Sequence, residues 1–141
     1  MRFMVIVKAN EDTENGVMPT AEELAAMGDY NEELVKAGVM LAGDGLYPSA
    51  KGARVAFDGK GATTVTDGPF AETKELIAGF WIWELPSLRD AVEWLRKAPF
   101  QSGEVEIRQI HGPEAFADIA TPETVAQEDR MREQLASKSG R

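Results

Sequence analysis

Apolar positions recur with a period of two in some segments and of three to four in others, and the switches between the two periods predict the elements. Residues 3–7 are a short apolar run with β-branched members, which predicts a buried strand. Residues 10–18 are polar and carry Asn15-Gly16, a turn signal. Thr20-Ala21-Glu22-Glu23 then fits a capping box, in which a hydroxyl and a carboxylate satisfy free N–H groups at a helix start. Leu24, Met27, Asn31 and Leu34 follow at helical spacing with Val35 beside them, and Gly38 suits the helix end. Residues 39–42 read as a second strand, ending at Gly43-Asp44-Gly45. Val55 and Phe57 alternate against Val65 across Asp58-Gly59-Lys60-Gly61, which predicts a β-hairpin. Residues 76–85 are the strongest strand, with Phe80 and Ile82 on one face and Trp81, Trp83 and Leu85 on the other. Both faces are apolar, so both are expected to be covered.

Ser87 starts a second helix, whose stripe is Leu88, Ala91, Val92 and Leu95 and which Pro99 ends. Residues 104–110 alternate, with Val105, Ile107 and Gln109 on one face and Glu104, Glu106 and Arg108 on the other. Thr121 and Pro122 open a last helix reaching about Ala136, with a thin stripe of Val125, Met131 and Leu135. Such a helix needs something to lie on. Residues 137–141 are expected to be disordered. The core order is strand, helix, strand, inserted hairpin, strand, helix, strand. Without the insert this is βαββαβ, an α+β ferredoxin-like unit with its helices on one face of an antiparallel sheet. The expected division is a domain of residues 1–119 and a helical extension of residues 120–141. The tryptophan-bearing sheet face is expected to stay open in a monomer and to pair face to face in a dimer.

Charge narrows the partners. The chain carries 24 acids against 15 Lys and Arg, a net −9. Four acids and four bases follow Ala120, so the tail is neutral and the whole excess lies before it. An acidic domain repels phosphate backbones, so no nucleic-acid partner is expected. The absence of Cys excludes disulfides, thiolate catalysis and Cys-ligated zinc. No secretory pattern or membrane-length apolar run is present, so the cytoplasm is the expected location and no membrane partner is expected.

One stretch does not fit a solvated loop or a core strand. Asp67-Gly68-Pro69-Phe70-Ala71-Glu72-Thr73-Lys74-Glu75 puts two backbone-bending residues, a ring and four charges into nine positions. This stretch, with Val65-Thr66 before it and Gly79-Phe80-Trp81 after it, resembles the DGPF-motif group of the YCII-related family. Residues 40–48, a glycine-rich strand ending, and Val105-Glu106-Ile107-Arg108 are similar to the same family in the same order. The resemblance implies a dimeric α/β barrel of two ferredoxin-like subunits. It also implies a small-molecule pocket between sheet and helices and a bacterial setting associated with alternative sigma factors. The wider superfamily includes lyases and oxygenases that work without a cofactor, and none is expected here. The broader YCII group is linked to a His–Asp pair, from which this chain departs. Its only histidine is His111, past the last core strand, and the first-helix segment reads Leu24-Ala25-Ala26-Met27.

Asp67 is therefore the candidate acid or base, or a hydrogen-bond anchor for a ligand; equally, it could be a turn residue fixing the Gly68-Pro69 corner. Phe70, Glu72 and Lys74, with Glu75, line a pocket on one reading and form a surface set on the other. Tyr47 is a candidate pocket hydroxyl. Arg108 binds an anionic ligand if its strand face looks into a barrel, and otherwise pairs with Glu106. Asp44 lacks the neighbours of a dedicated metal motif, so no metal is expected. Three function classes remain open: a small-molecule-binding or regulatory homodimer, a cofactor-independent enzyme using Asp67, and a structural dimerisation module.

Overall fold

In the computed structural model, which describes residues 1–139, four strands form one antiparallel sheet and two more form a separate ribbon. The elements run β1 (Arg2–Lys8), α1 (Glu11–Glu14), α2 (Ala21–Lys36), β2 (Met40–Gly45), β3 (Ala53–Phe57), β4 (Thr63–Asp67), β5 (Ile77–Glu84), α3 (Leu88–Leu95), β6 (Val105–Gln109) and α4 (Pro122–Ser139). The sheet order is β2-β5-β1-β6, with β1 antiparallel to both neighbours and β3-β4 as the inserted hairpin. This is the ferredoxin-like arrangement with its insert and an added C-terminal helix. Among the described residues no helix is long and apolar enough to cross a membrane.

The described chain falls into two compact units, the first ending at Ile110 and the second beginning at His111. In the first, register fixes which residues share a face. Phe3 lies opposite Trp83 and Gln109, and Val5 opposite Trp81 and Ile107. These positions point to the helices. Phe3, Val5, Trp83 and, from α2, Leu34 are fully enclosed, with Tyr30, Trp81 and Ala91 of α3 closing the cluster. Burial of Tyr30 pushes its phenol up to about 12, helped by the charge of Glu33, so it stays a neutral donor to the Trp94 carbonyl at 2.6 Å. That bond ties α2 to α3. Trp81 meets Tyr30 edge-on at 5.9 Å, and its indole N–H donates to Asn31 at 2.9 Å.

The expectation that Trp81 and Trp83 face a partner subunit is therefore overturned. They are the largest apolar side chains of the strand, and the helices of their own chain cover them. The opposite face carries Met4, Ile6, Phe80 and Ile82, all half-buried, with Glu106 and Arg108 across from Ile6 and Met4. Helix stripes also differ from expectation. Leu24 and Val35 are more than half exposed, and Tyr30 takes the buried position on α2. On α3, Leu88 and Val92 stay exposed while Ala91 is enclosed and Trp94 packs against the core.

Local signals hold elsewhere. Thr20 and Glu23 form the capping box of α2, and Gly38 follows the helix end with φ +72°. Asn10 and Thr13 form another box, starting a one-turn helix within the segment expected to be loop. In the hairpin Val55 lies opposite Val65, and the Asp58 carboxylate accepts from the Lys60 and Ala62 N–H groups. In the second unit His111 is exposed and meets the Phe116 ring at a tilt of 60° with centroids 5.1 Å apart, and Thr121 caps α4 through the Thr124 N–H. That helix runs to Ser139 instead of stopping near Ala136, so residues 137–139 are helical and not disordered. The rest of that expected disordered end, residues 140–141, lies outside the described residues.

Candidate functional site

The stretch that stands out in the sequence is a clamped corner. Asp67 ends β4, and the Gly68-Pro69 peptide bond is cis. The chain then passes against a 3₁₀ turn at Ser49–Lys51. Gly68 comes so close that a Cβ would fall 1.7 Å from the Ser49 carbonyl oxygen, so no larger residue fits. Its N–H donates to the Gly52 carbonyl at 3.0 Å, and the Phe70 N–H donates to Ser49 Oγ at 3.1 Å.

Ser49 is held in turn by Glu14 of α1. Its N–H donates to Glu14 Oε2 at 3.0 Å and its hydroxyl donates to Glu14 Oε1. Those two bonds hold the Glu14 carboxyl below its ordinary value. A chain of contacts thus runs from α1 through the turn to the motif, joining three segments far apart in sequence.

A pocket of about 360 Å³ opens beside this corner, lined by Glu14, Tyr47, Ser49, Arg54, Phe70 and Glu75 together with Leu46 and Leu76. A second pocket, of about 330 Å³, shares Leu46 and Tyr47 and is otherwise lined mainly by Val17, Met18, Pro19, Pro48 and Ala78. Together they form one groove with a charged end and an apolar end. In the wall of the charged end the Arg54 guanidinium lies 3.9 Å from the centre of the Phe70 ring, and Lys51, outside the lining of both pockets, holds its ammonium 4.1 Å from the centre of the Tyr47 ring.

Of the sequence-predicted residues, the structure brings Tyr47 and Phe70 together in this groove. Asp67, Glu72 and Lys74 are exposed and lie outside its lining. No ion pair links Asp67, Glu72, Lys74 and Glu75 among the described residues. Arg108 is on the far sheet face, 3.4 Å from Glu106, which also pairs with Lys8 at 3.5 Å. Asp44 is exposed, and no cluster of metal-ligating side chains occurs among the described residues. Glu14, Ser49, Lys51 and Arg54 were not anticipated. The hairpin register sets Ala53 opposite Asp67 and Arg54 opposite Thr66, so the predicted hairpin held a signal for Arg54. Nothing local in the sequence links Glu14 to Ser49.

Residues 1–112 match the YCII-related domain. The chain belongs to the YCII-related family. A Rhizobium meliloti (strain 1021) protein named Uncharacterized protein R00369 is 42% identical over 53 residues, which is 36% of this chain. The chain spans 43% of that relative's length. Among solved structures, 5-chloro-2-hydroxyhydroquinone dehydrochlorinase from Burkholderia phenoliruptrix AC1100, in complex with 2,5-dihydroxybenzoquinone, is similar at 21% identity and a TM-score of 0.42. That match covers 81% of this chain and 98% of the other. In this YCII-related domain the signature stretch builds the groove wall through Phe70 and braces it through Gly68, while its acidic first residue points to solvent.

Proposed function

We propose that this YCII-related protein is a cytoplasmic homodimer that binds a small molecule in the groove beside the DGPF corner, in a regulatory role of the kind associated with sigma factors. Residues 1–119 form the binding domain, and the helix Pro122–Ser139 is its extension. One observation carries the reading: Tyr47 and Phe70 meet across a pocket of about 360 Å³, within the range of small-molecule sites, against a corner clamped by hydrogen bonds. A rigid wall lowers the ordering cost of binding. The homodimer is supported by the half-buried row of Met4, Ile6, Phe80 and Ile82 on the sheet face away from the helices. Closing two such faces would give the α/β barrel.

A thermal-shift screen of small organic acids, amines and phenols tests the pocket, because a ligand that binds only the folded state raises the melting temperature. Hits are expected for the wild type and lost in Tyr47→Ala. A screen in which every shift persists in Tyr47→Ala refutes the groove. Light scattering at micromolar concentration tests the dimer: twice 15.4 kDa is expected, falling to one chain in Ile82→Lys. A wild-type monomer refutes it.

A further inference from the structure

The two ends of the groove differ in chemistry, and the difference specifies a ligand class. The apolar end offers Val17, Met18, Pro19, Pro48 and Ala78, with Thr13 and Tyr47 as its polar side chains. Leu46 and Tyr47 belong to both ends, so the two ends adjoin and one elongated molecule can reach both.

At the other end Arg54 lines the wall and Lys51 lies beside it on the Tyr47 ring, and both cations are in an unusual state. The chain carries 24 acids against 15 bases, so carboxylates are in excess. Even so, neither Lys51 nor Arg54 forms an ion pair or a side-chain hydrogen bond among the described residues. Each instead rests on a ring of the groove wall, Tyr47 or Phe70. Stacking occupies the flat face of a guanidinium and leaves its N–H edge free, which is the edge that grips a carboxylate with two parallel bonds. The Phe70 backbone is itself held, because its N–H donates to Ser49. Arg54 is thus held on a braced platform with its donors unspent. Two acids line the same pocket. Both Glu14 oxygens accept from Ser49, which leaves Glu75 as the one uncommitted acid there.

We propose that Lys51 and Arg54 form an anion clamp and that the groove takes an amphipathic organic acid, with a carboxylate or sulfonate head at the clamp and an aromatic or branched aliphatic body at the Met18 end. The inference rests on the groove being a ligand site, and the test separates the two. Two fluorescent probes share one apolar body: 1-anilinonaphthalene-8-sulfonate carries an anionic head, and N-phenyl-1-naphthylamine lacks it. Both are expected to bind the full chain, with both weakened by Met18→Glu, which changes an exposed side chain at the apolar end. Arg54→Gln and Lys51→Gln are each expected to weaken the sulfonate probe on the order of ten-fold, the scale of one charge-assisted contact, and to leave the neutral probe unchanged. Glu75→Gln is expected to tighten the sulfonate probe alone. Binding of both probes with no effect of Lys51, Arg54 or Glu75 overturns the clamp and leaves the groove standing. Binding of neither probe, or binding insensitive to Met18→Glu, overturns the groove and the clamp together.

Discussion

Gly68→Ala tests whether the DGPF corner is held by contact with the Ser49 turn. An ideal Cβ at residue 68 lies 1.7 Å from the Ser49 carbonyl oxygen and 2.6 Å from its carbonyl carbon, whereas ordinary contact begins at 3.4 Å. The atoms in the way are backbone, so no side chain can swing aside. The corner and the turn must part by about 1.7 Å, the difference between 3.4 and 1.7 Å. A separation of that size breaks the Gly68 N–H bond to Gly52, now 3.0 Å, and the Phe70 N–H bond to Ser49 Oγ, now 3.1 Å. Each lost bond costs about 1 kcal/mol net. Overpacking that the backbone cannot fully relieve adds about 1–2 kcal/mol, so the total is about 3–4 kcal/mol. For a domain of this size that lowers the melting temperature by roughly 8–14 °C. Circular dichroism reads the global effect, and amide hydrogen exchange reads the Phe70 N–H directly. If the corner detaches locally, exchange at Phe70 accelerates without the full drop in melting temperature. An unchanged melting temperature together with unchanged Phe70 exchange would refute the clamp.

Further outcomes follow from the same contacts. The Glu14 carboxyl sits below its ordinary 4.5, so its bonds to Ser49 stabilise the fold above that pH and are lost as pH falls through the depressed folded value. The stability gap between wild type and Glu14→Gln should therefore be full at pH 7 and shrink below about 4.5 in urea titrations, and a gap that widens on acidification would reverse the assignment. Trp81→Phe removes the donor to Asn31 and part of a buried ring; it should cost about 1–3 kcal/mol while leaving the scattering mass unchanged, and a change of oligomeric state instead would return Trp81 to an interface. Asp67→Asn alters an exposed carboxylate with no hydrogen bond among the described residues, so denaturation should shift by less than about 0.5 kcal/mol. A large loss would mean that Asp67 braces the corner.

Much of the architecture follows from local physics, which is written in the order of residues. Capping boxes at Thr20 and the Asp58-Gly59-Lys60-Gly61 turn act over a few positions, so their outcome was legible. The alternation at residues 104–110 likewise separates Val105 and Ile107 from Glu106 and Arg108. Periodicity gives two faces but does not say which one the helices cover. For β5 both faces are apolar, and only the docking of α2 and α3 decided that Trp81 and Trp83 are internal and that Phe80 and Ile82 lie outside. The groove lies further still from sequence logic. The motif announced a special backbone, and Gly68 bears that out through a contact that leaves no room for a Cβ. Its partner in that contact, Ser49, and the Glu14 that holds Ser49, come from other segments, and no pattern of spacing joins them. Sequence alone determined family, element order and the existence of a rigid corner, because each depends on neighbours along the chain. Tertiary structure alone decided that the corner's ring, and not its carboxylate, faces the groove, because that depends on where a distant turn comes to rest.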